Sequence, residues 1–517
     1  MPDKMEKVVS LCARRGMIYP AAEIYGSFAG FFDFAGYGAQ LKRNVEASWW
    51  KSFVTSREDV VGMDGSIITS PQVWKASGHL EEFNDPLVDC LKCKSKFRLD
   101  HLIEEQLNLQ VDGLKTAELA ALLNAHKLKC AKCKGDLAVA EPFNLMFKTS
   151  VGAVADERNT AYLRPETAQV IFSDFKQIQL SSRSKLPFGI AQAGKAFRNE
   201  ISPRNFVFRC REFSQMELEF FIHPDKLDDC TIPARLLEIE PLVLTATAQE
   251  KGEPAQKHSI ADLLGRKAVK ARWHAYWLAY SLDWLHSIGI SPENLRIRQH
   301  VKTELSHYSS ETWDVEYDYP WGWKELMGVA NRTDFDLAHH SKESGKDLSY
   351  FDEESKKKVV PFVIEPSFGL ERIVLTLLLD AYVEKAGKGE TKIALALSPS
   401  IAPVAVCVFP LMKKDGLAEK AREIFLSLNP ALFAEYDDGG SIGRRYARAD
   451  EAGVPYAITV DYDTLGDGTV TLRDRDSTAQ KRIKCADARQ IILSLLERTV
   501  DFTGIIDLKP KAQTPGE

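Results

Sequence analysis

The sequence predicts an α+β chain of at least two domains, with antiparallel strands in the larger N-terminal part and a smaller α/β unit at the C-terminus. Three observations carry this reading. The chain has 517 residues, several times the length of a typical domain. The stretch REFSQMELEFF (211 to 221) alternates as a strand does, with Phe213, Gln215, Glu217, Glu219 and Phe221 on one face and Ser214, Met216, Leu218 and Phe220 on the other. After residue 392 strand-like and helix-like segments alternate (APVAVCVFPL, LAEKAREIFLSL, YAITVDYD), the pattern expected of a mostly parallel sheet.

Composition sets the outer limits. A formal net charge of −6, with 44% hydrophobic and 27% charged residues, excludes a basic nucleic-acid coat protein, so any nucleic-acid contact must come from local patches. The N-terminal MPDKMEKVVSLCARRGMIYP is broken by charges and lacks the apolar run of a secretory signal, which leads to the expectation of a cytoplasmic protein. The uncharged span 393 to 412 is interrupted by Pro399, Pro403 and Pro410, so it reads as a buried strand entered through a Pro-rich linker rather than a membrane helix. Nine cysteines without a signal peptide argue for thiols rather than a disulfide framework. There is no solenoid-period repeat.

Taken along the chain, residues 40 to 58 place Leu41, Val45, Trp49, Phe53 and Val54 at helical spacing, predicting an amphipathic helix. Residues 86 to 148 hold Cys90-x2-Cys93 and Cys130-x2-Cys133 and look like an insertion; the pairs suit a structural zinc site, although the 36-residue spacer is long for a ribbon and four unrelated thiols are the alternative. In AFRNE (196 to 200), strand geometry would put Arg198 and Glu200 on one face, followed by a loop with Pro203, Arg204, Asn205 and Arg209 and then the strand already described. That hairpin face is either a surface with cross-strand ion pairs, each worth about 0 to 1 kcal/mol, or a site for a charged ligand. A second insertion is helical in its Trp-rich part, 271 to 289. Within VIEPSFGLERIVLTLLL (363 to 379), Leu370, Ile373, Val374, Leu377 and Leu378 predict a buried helix whose first turn contains Glu371 and Arg372, charges that need internal partners or a ligand such as a triphosphate. Polar, Gly-containing EKAGKGETK (384 to 392) marks the main domain boundary.

FRNE followed by a loop and REFSQMELEF resembles motif 2 of the class II aminoacyl-tRNA synthetases, and GLERIVL resembles motif 3. LRPETAQ (163 to 169), GWKELMGVANRTDFDLAHH (322 to 340), EPSFGLER (365 to 372) and SIGRRYARADEAGVPYAITVDYD (441 to 463) narrow the resemblance to the dimeric, class IIa glycyl-tRNA synthetases, over nearly the whole chain. The resemblance implies an antiparallel catalytic sheet flanked by helices, not a Rossmann fold. It also implies an organisation: 1–85, the N-terminal core with motif 1; 86–148, a zinc-ribbon-like insertion; 149–225, core with motif 2; 226–305, a helical insertion; 306–383, core with motif 3; 393–507, an anticodon-binding domain; and 508–517, a flexible tail. No GxxxxGK[ST] phosphate loop occurs, and HSIGI (286 to 290) only faintly echoes class I, so ATP would be held by the motif 2 and motif 3 arginines.

Carried over by motif position, Arg198 clamps the α-phosphate, while Asn199, Glu200, Phe208 and Arg209 grip adenine and phosphates, with Phe213 stacked on the base. Arg372 sits on the terminal phosphates; Gly369, Leu326 and Glu325 complete the ATP site, with Glu325 as the Mg²⁺ ligand; Arg198, Glu200 and Arg372 form the catalytic set. The glycine pocket comprises Arg98, Glu166, Phe213, Gln215, Glu217, Glu365 and Ser367. Cys90, Cys93, Cys130 and Cys133 would hold Zn²⁺, and Arg444, Arg445 and Arg448 would contact tRNA. The implied partners are ATP, glycine, tRNA(Gly) and a second copy of the chain, with no membrane. One departure stands out: the family commonly has a proline after a Tyr-Gly pair in motif 1, and here Ala39 follows Tyr37-Gly38. Two rival readings are a non-catalytic synthetase-like accessory protein, which should have lost Arg198, Glu200, Glu325 and Arg372, and a class II synthetase for another small amino acid.

Overall fold

The computed structural model describes residues 3–109, 111, 114–153, 156–386 and 391–508. A nine-stranded sheet organises the N-terminal part. Its strands are β1 (Val60–Gly62), β2 (Phe188–Phe197), β3 (Glu212–Ile222), β4 (Leu242–Leu244), β5 (Gln256–Lys257), β6 (Leu295–Gln299), β7 (Glu311–Tyr319), β8 (Gly322–Thr333) and β9 (Phe362–Gly369). They lie in the order β5-β4-β6-β7-β8-β9-β3-β2-β1. From β6 through β2 every pairing is antiparallel. The segment expected to be a helical insertion, 226 to 305, therefore also supplies β4, β5 and β6 to this sheet.

The predicted alternation of β3 sorts its side chains between two cores. Met216, Leu218 and Phe220 are fully buried in the main core, which includes Trp277 of the Trp-rich helix α5 (Arg272–Ser287) and Ile373 of α7 (Leu370–Ala381). On the opposite face Phe221 packs against Phe172 and Phe175 of α4 (Ala168–Ser182), with ring centroids 6.3 and 4.5 Å apart. Helix α6 (Phe335–Ser344) covers the same end of that face through Leu337. Between these covered regions the polar half of β3 remains uncovered, and the cavity forms there.

The predicted amphipathic helix is α1 (Gly36–Trp50), continued by a π-helical turn at Lys51–Thr55, with Leu41, Val45, Trp49, Phe53 and Val54 buried. Gly38 lets it approach residue 17, since a Cβ there would stand 2.1 Å from the Met17 carbonyl oxygen. The Ala39 amide donates to the Ala35 carbonyl at 3.3 Å, a helical bond that a proline at this position could not make.

The cysteine insertion builds a three-stranded ribbon from Leu87–Cys90, Lys96–Arg98 and Leu137–Val139. Its long spacer folds into α2 (Leu99–Leu107) and α3 (Thr116–Ala125), which close a small core of their own around Leu102, Ile103, Leu119 and Leu123.

At the span 384 to 392, read as the main domain boundary, strands Tyr382–Ala386 and Thr391–Leu395 pair antiparallel, with residues 387–390 outside the described residues. One expectation about the C-terminal part is corrected. The C-terminal sheet is mixed rather than mostly parallel. Its strands are β10 (Val406–Pro410), β11 (Ala434–Tyr436), β12 (Tyr456–Val460), β13 (Thr469–Asp474) and β14 (Gln480–Lys484), in the order β11-β10-β12-β13-β14. Only β10 with β11 and with β12 is parallel; TVTLRD and QKRIK return as a hairpin, which requires no crossover helix. Helices α8 (Leu417–Leu428), α9 (Ile442–Glu451) and α10 (Ala488–Leu496) pack with this sheet. Among the described residues no helix is long and apolar enough to cross a membrane.

Candidate active site

One face of four adjacent strands lines a single cavity. Because side chains two apart share a face, β3 contributes Phe213, Gln215 and Glu217, β9 contributes Glu365, Ser367 and Gly369, β8 contributes Gly328 and Ala330, and β7 contributes Thr312 and Asp314. Register aligns them into rows: Asp314, Gly328, Ser367 and Glu217 are successive neighbours across the sheet, as are Thr312, Ala330 and Glu365. Small residues on β8 leave the middle of both rows open. At Gly328 an added Cβ would sit 3.3 Å from an Asp314 carboxylate oxygen.

The inner end of the cavity is anionic. Glu217 is 2% exposed and accepts from the Thr167 amide (2.9 Å), the Gln215 amide group (2.9 Å) and the Ser367 hydroxyl (2.7 Å), and from the Thr167 hydroxyl. Glu166 accepts from Gln169 at 3.0 Å and lies 3.3 Å from His79 Nε2. Burial opposes ionisation of Glu166, but His79 and Arg332 hold its carboxyl well below the usual range. Burial and Glu166 push Glu217 up, while burial, against the pull of Arg332, pushes Glu365 up to about 8. Behind these groups Arg332, 1% exposed, donates to both oxygens of Asp336 (2.7 and 2.9 Å) and to Glu365 (3.0 Å). Its guanidinium carbon lies 3.8 Å from the centre of the Tyr308 ring.

The outer end is cationic. Strand β2 ends at Phe197, so Arg198 and Glu200 lie in the loop rather than in the strand that alternation suggested; the Asn199 amide leaves the ladder to donate to Leu145 at 2.8 Å. Both side chains still line the cavity. The Arg198 guanidinium rests between the rings of Phe83 and Phe213, 5.4 and 5.3 Å from their centres, with Nε donating to the Pro165 carbonyl at 3.0 Å. Among the described residues no carboxylate stands within salt-bridge range of it. Arg209 lies 3.9 Å from Glu200. Arg372 projects from the first turn of α7, 4.8 Å over the Phe208 ring and 3.1 Å from the half-exposed Glu325 carboxylate. Partial desolvation opposes ionisation of Glu325, yet Arg372 draws its carboxyl below the usual range. Glu371, the other charge in that first turn, is satisfied internally by Lys42 of α1 and by the Ser214 amide at 2.7 Å.

The cavity thus gathers Glu166, Arg198, Glu200, Phe208, Arg209, Phe213, Gln215, Glu217, Glu325, Glu365, Ser367, Gly369 and Arg372 from segments distant in sequence. Three expected members stand elsewhere. Leu326 is fully buried in the main core, because a bulge shifts the β7–β8 register beside it: Val315 faces Met327, and Glu316 faces Glu325. Arg98 is tied to Asp85 at 3.0 Å and to both oxygens of Asp100, outside the cavity lining. Asn199 does not line it either.

Sequence reasoning missed Arg332, Asp336, Thr167 and Gln169, although all four fall inside the quoted stretches GWKELMGVANRTDFDLAHH and LRPETAQ; the i, i+4 spacing of Arg332 and Asp336 was the available signal. It also missed the pair of His300 and Asp314, 2.7 Å apart, for which no local pattern exists.

Two comparisons bear on the class of this site. A family profile described as "tRNA synthetase class II core domain (G, H, P, S and T)" matches residues 147–233, and one described as "Anticodon binding domain" matches 405–495. A protein named glycine–tRNA ligase from Caldanaerobacter subterraneus is 45% identical over 491 residues, covering 93% of this chain and 97% of that protein. This chain belongs to the glycine–tRNA ligase family. Further proteins named glycine–tRNA ligase, from Acetivibrio thermocellus and Thermobifida fusca, are 44% and 43% identical over 96% of this chain and 99% and 98% of their own lengths. Membership accords with the class II fold described above, and Arg198, Glu200, Glu325 and Arg372, whose loss would have marked an accessory protein, are all present.

Elsewhere in this glycine–tRNA ligase family member, the four expected cysteines converge. Their sulfur atoms all lie within 4.8 Å of one another, with Cys90 to Cys133 at 3.4 Å and Cys93 to Cys130 at 3.7 Å. Those separations are too long for disulfides and match a tetrahedron with metal–sulfur bonds of about 2.3 Å. The donor set therefore fits Zn²⁺.

The three arginines of the C-terminal domain behave differently from one another. Arg445 is 3% exposed and donates to the Gly440 carbonyl at 3.1 Å and to the Pro410 carbonyl, so it supports the fold and is not a free surface charge. Arg448 is paired with Asp437 and donates to the Gly439 carbonyl at 2.6 Å. Arg444 is exposed.

Proposed function

We propose that this protein is a glycine–tRNA ligase that joins glycine to ATP as glycyl-adenylate and then passes the glycyl group to the 3′ end of tRNA(Gly). The observation that carries the reading is the division of one cavity into a carboxylate-lined inner end, suited to an ammonium group, and an outer end with Arg198, Arg209 and Arg372, suited to a polyphosphate. In the first step a glycine carboxylate oxygen attacks the α-phosphorus as the bond to pyrophosphate breaks. The nucleophile is already ionised, so the protein needs to supply only position and charge. Arg198 offers the unpaired edge of its guanidinium to the α-phosphate, Phe213 lies beside it to stack on adenine, and Glu200, Asn199, Phe208 and Arg209 surround the base and phosphates. Arg372 takes the terminal phosphates, and Glu325 would hold the Mg²⁺ that accompanies ATP, an ion that would screen the phosphate charge; Gly369 keeps the helix entry open, and Leu326 contributes through its backbone. Glu166, Gln215, Glu217, Glu365 and Ser367 receive glycine, with Arg98 approaching from the cysteine module. In the second step a hydroxyl of the terminal adenosine attacks the activated carbonyl and AMP leaves.

Pyrophosphate exchange with a panel of amino acids tests this. Glycine is expected to support exchange, and alanine, serine and proline are not; exchange with one of those but not with glycine would overturn the specificity.

Zn²⁺ held by Cys90, Cys93, Cys130 and Cys133 would tie the ribbon that carries Arg98 and α2. Metal analysis should find one zinc per chain, falling toward zero in Cys130→Ser; equal zinc in that variant would exclude the site. The anticodon-binding domain would meet tRNA through Arg444, with Arg445 and Arg448 shaping the loop beside it. A second copy of the chain would cover the apolar loop in which Ile24, Tyr25 and Phe28 are 87%, 86% and 80% exposed.

A further inference from the structure

We propose that Glu219 is a positioning residue of the glycine pocket: a carboxylic acid kept un-ionised beneath the pocket, whose O–H dipole supports the negative charge of Glu365 above it. The inference deepens the glycine reading and rests on it. Glu219 lies on β3 one pleat beyond Glu217, on the same face, where β3 is flanked by β9. It is fully buried, and among the described residues neither of its carboxylate oxygens has a hydrogen-bond partner. That is an unusual state for any buried polar group and an untenable one for an anion.

The charges around it leave no cation to spare. Glu217 lies on its own strand, Glu365 on β9, Arg332 on β8 and Asp336 on α6, and all four act on it electrostatically. Gln169 of α4 and Gln192 of β2 are buried and uncharged, and His340 of α6, 2.8 Å from Gln169, is a buried imidazole whose pKa burial pulls down. Arg332 already donates twice to Asp336 and once to Glu365. Glu217 has four hydrogen bonds of its own, and Glu365 has Arg332 and the cavity. A proton arriving among these acids therefore goes to Glu219, the one with no stabilising partner. Burial and the charge of Glu365 push the Glu219 carboxyl well above its usual range, in keeping with this assignment.

Once neutral, Glu219 no longer repels Glu365, and an O–H dipole free to turn in the same low-dielectric surroundings favours the ionised form of Glu365 when glycine brings its ammonium group. Glutamine reproduces the shape and the neutral donor; leucine reproduces neither. Glu219→Gln is therefore expected to hold the KM for glycine within about threefold of the wild type, and Glu219→Leu to raise it about tenfold or more. In both variants kcat and the KM for ATP should stay close to wild type, which also reports on folding. Equal rises in Gln and Leu would mean that an anion is needed, and no rise in Leu would mean that the group is inert; either overturns the proposal. An infrared difference spectrum at neutral pH supplies a readout that needs no substrate: a carboxylic-acid C=O band in the wild type, lost in Glu219→Gln. Absence of that band from the wild type overturns the protonation state, whereas a protein that shows the band but exchanges no glycine would fault the substrate reading instead.

Discussion

Replacing Arg198 with alanine is expected to lower glycine-dependent pyrophosphate exchange by about 10²- to 10³-fold, the usual effect of removing one preorganised donor from a developing charge. The side chain is built for that role. Two aromatic rings hold its flat faces and the Pro165 carbonyl takes Nε, leaving the terminal nitrogens for a ligand. Arg198→Lys should recover little, because an ammonium cannot match two phosphate oxygens in one plane. Binding of tRNA, measured separately, should be nearly unchanged, since the guanidinium lies inside the cavity. Exchange at the wild-type rate in Arg198→Ala would refute the assignment.

The largest effect on stability is expected at Arg332. Arg332→Met leaves Asp336 and Glu365 buried without their cation, and breaking such a network typically costs about 3 to 5 kcal/mol. The chain has several folding units, so the comparison is best made on the transition assigned to the catalytic sheet in chemical denaturation. Adding Asp336→Leu to Arg332→Met should recover part of the loss, because an apolar pair replaces a stranded charge. An unchanged midpoint in the single variant would show that the network does not support the sheet.

The legible parts of the site share one property: they are encoded within a few residues of one another. Alternation in 211 to 221 assigned Gln215 and Glu217 to the polar face and Met216, Leu218 and Phe220 to the core, as the structure has them. Helical spacing located α1 and α7, and paired cysteines located the four-sulfur cluster. Other placements depend on distant contacts. Leu326, expected in the ATP site from its place in the motif, has its side chain turned into the core by a bulge, which leaves only its backbone to face a ligand. Arg445 was grouped with Arg444 as surface charge, but the two lie on different sides of α9, and one is spent on backbone carbonyls. The hairpin of β13 and β14 left a weak signal, because TVTLRD and QKRIK are short and interrupted by charges.

The sequence by itself determined the strand at 211 to 221 with its polar and apolar faces, the buried helices α1 and α7 and the pairing of the cysteines, because the period-2 and period-3.6 patterns are local consequences of backbone geometry. Tertiary structure alone decided which charges are free. Lys42 and Ser214 satisfy Glu371, Arg332 is consumed by Asp336 and Glu365, and among the described residues Arg198 has no carboxylate in salt-bridge range and the Glu219 carboxyl has no hydrogen-bond partner. Those pairings join residues far apart in the chain, and a buried charge takes its meaning from whichever distant group the fold brings within a few ångströms of it.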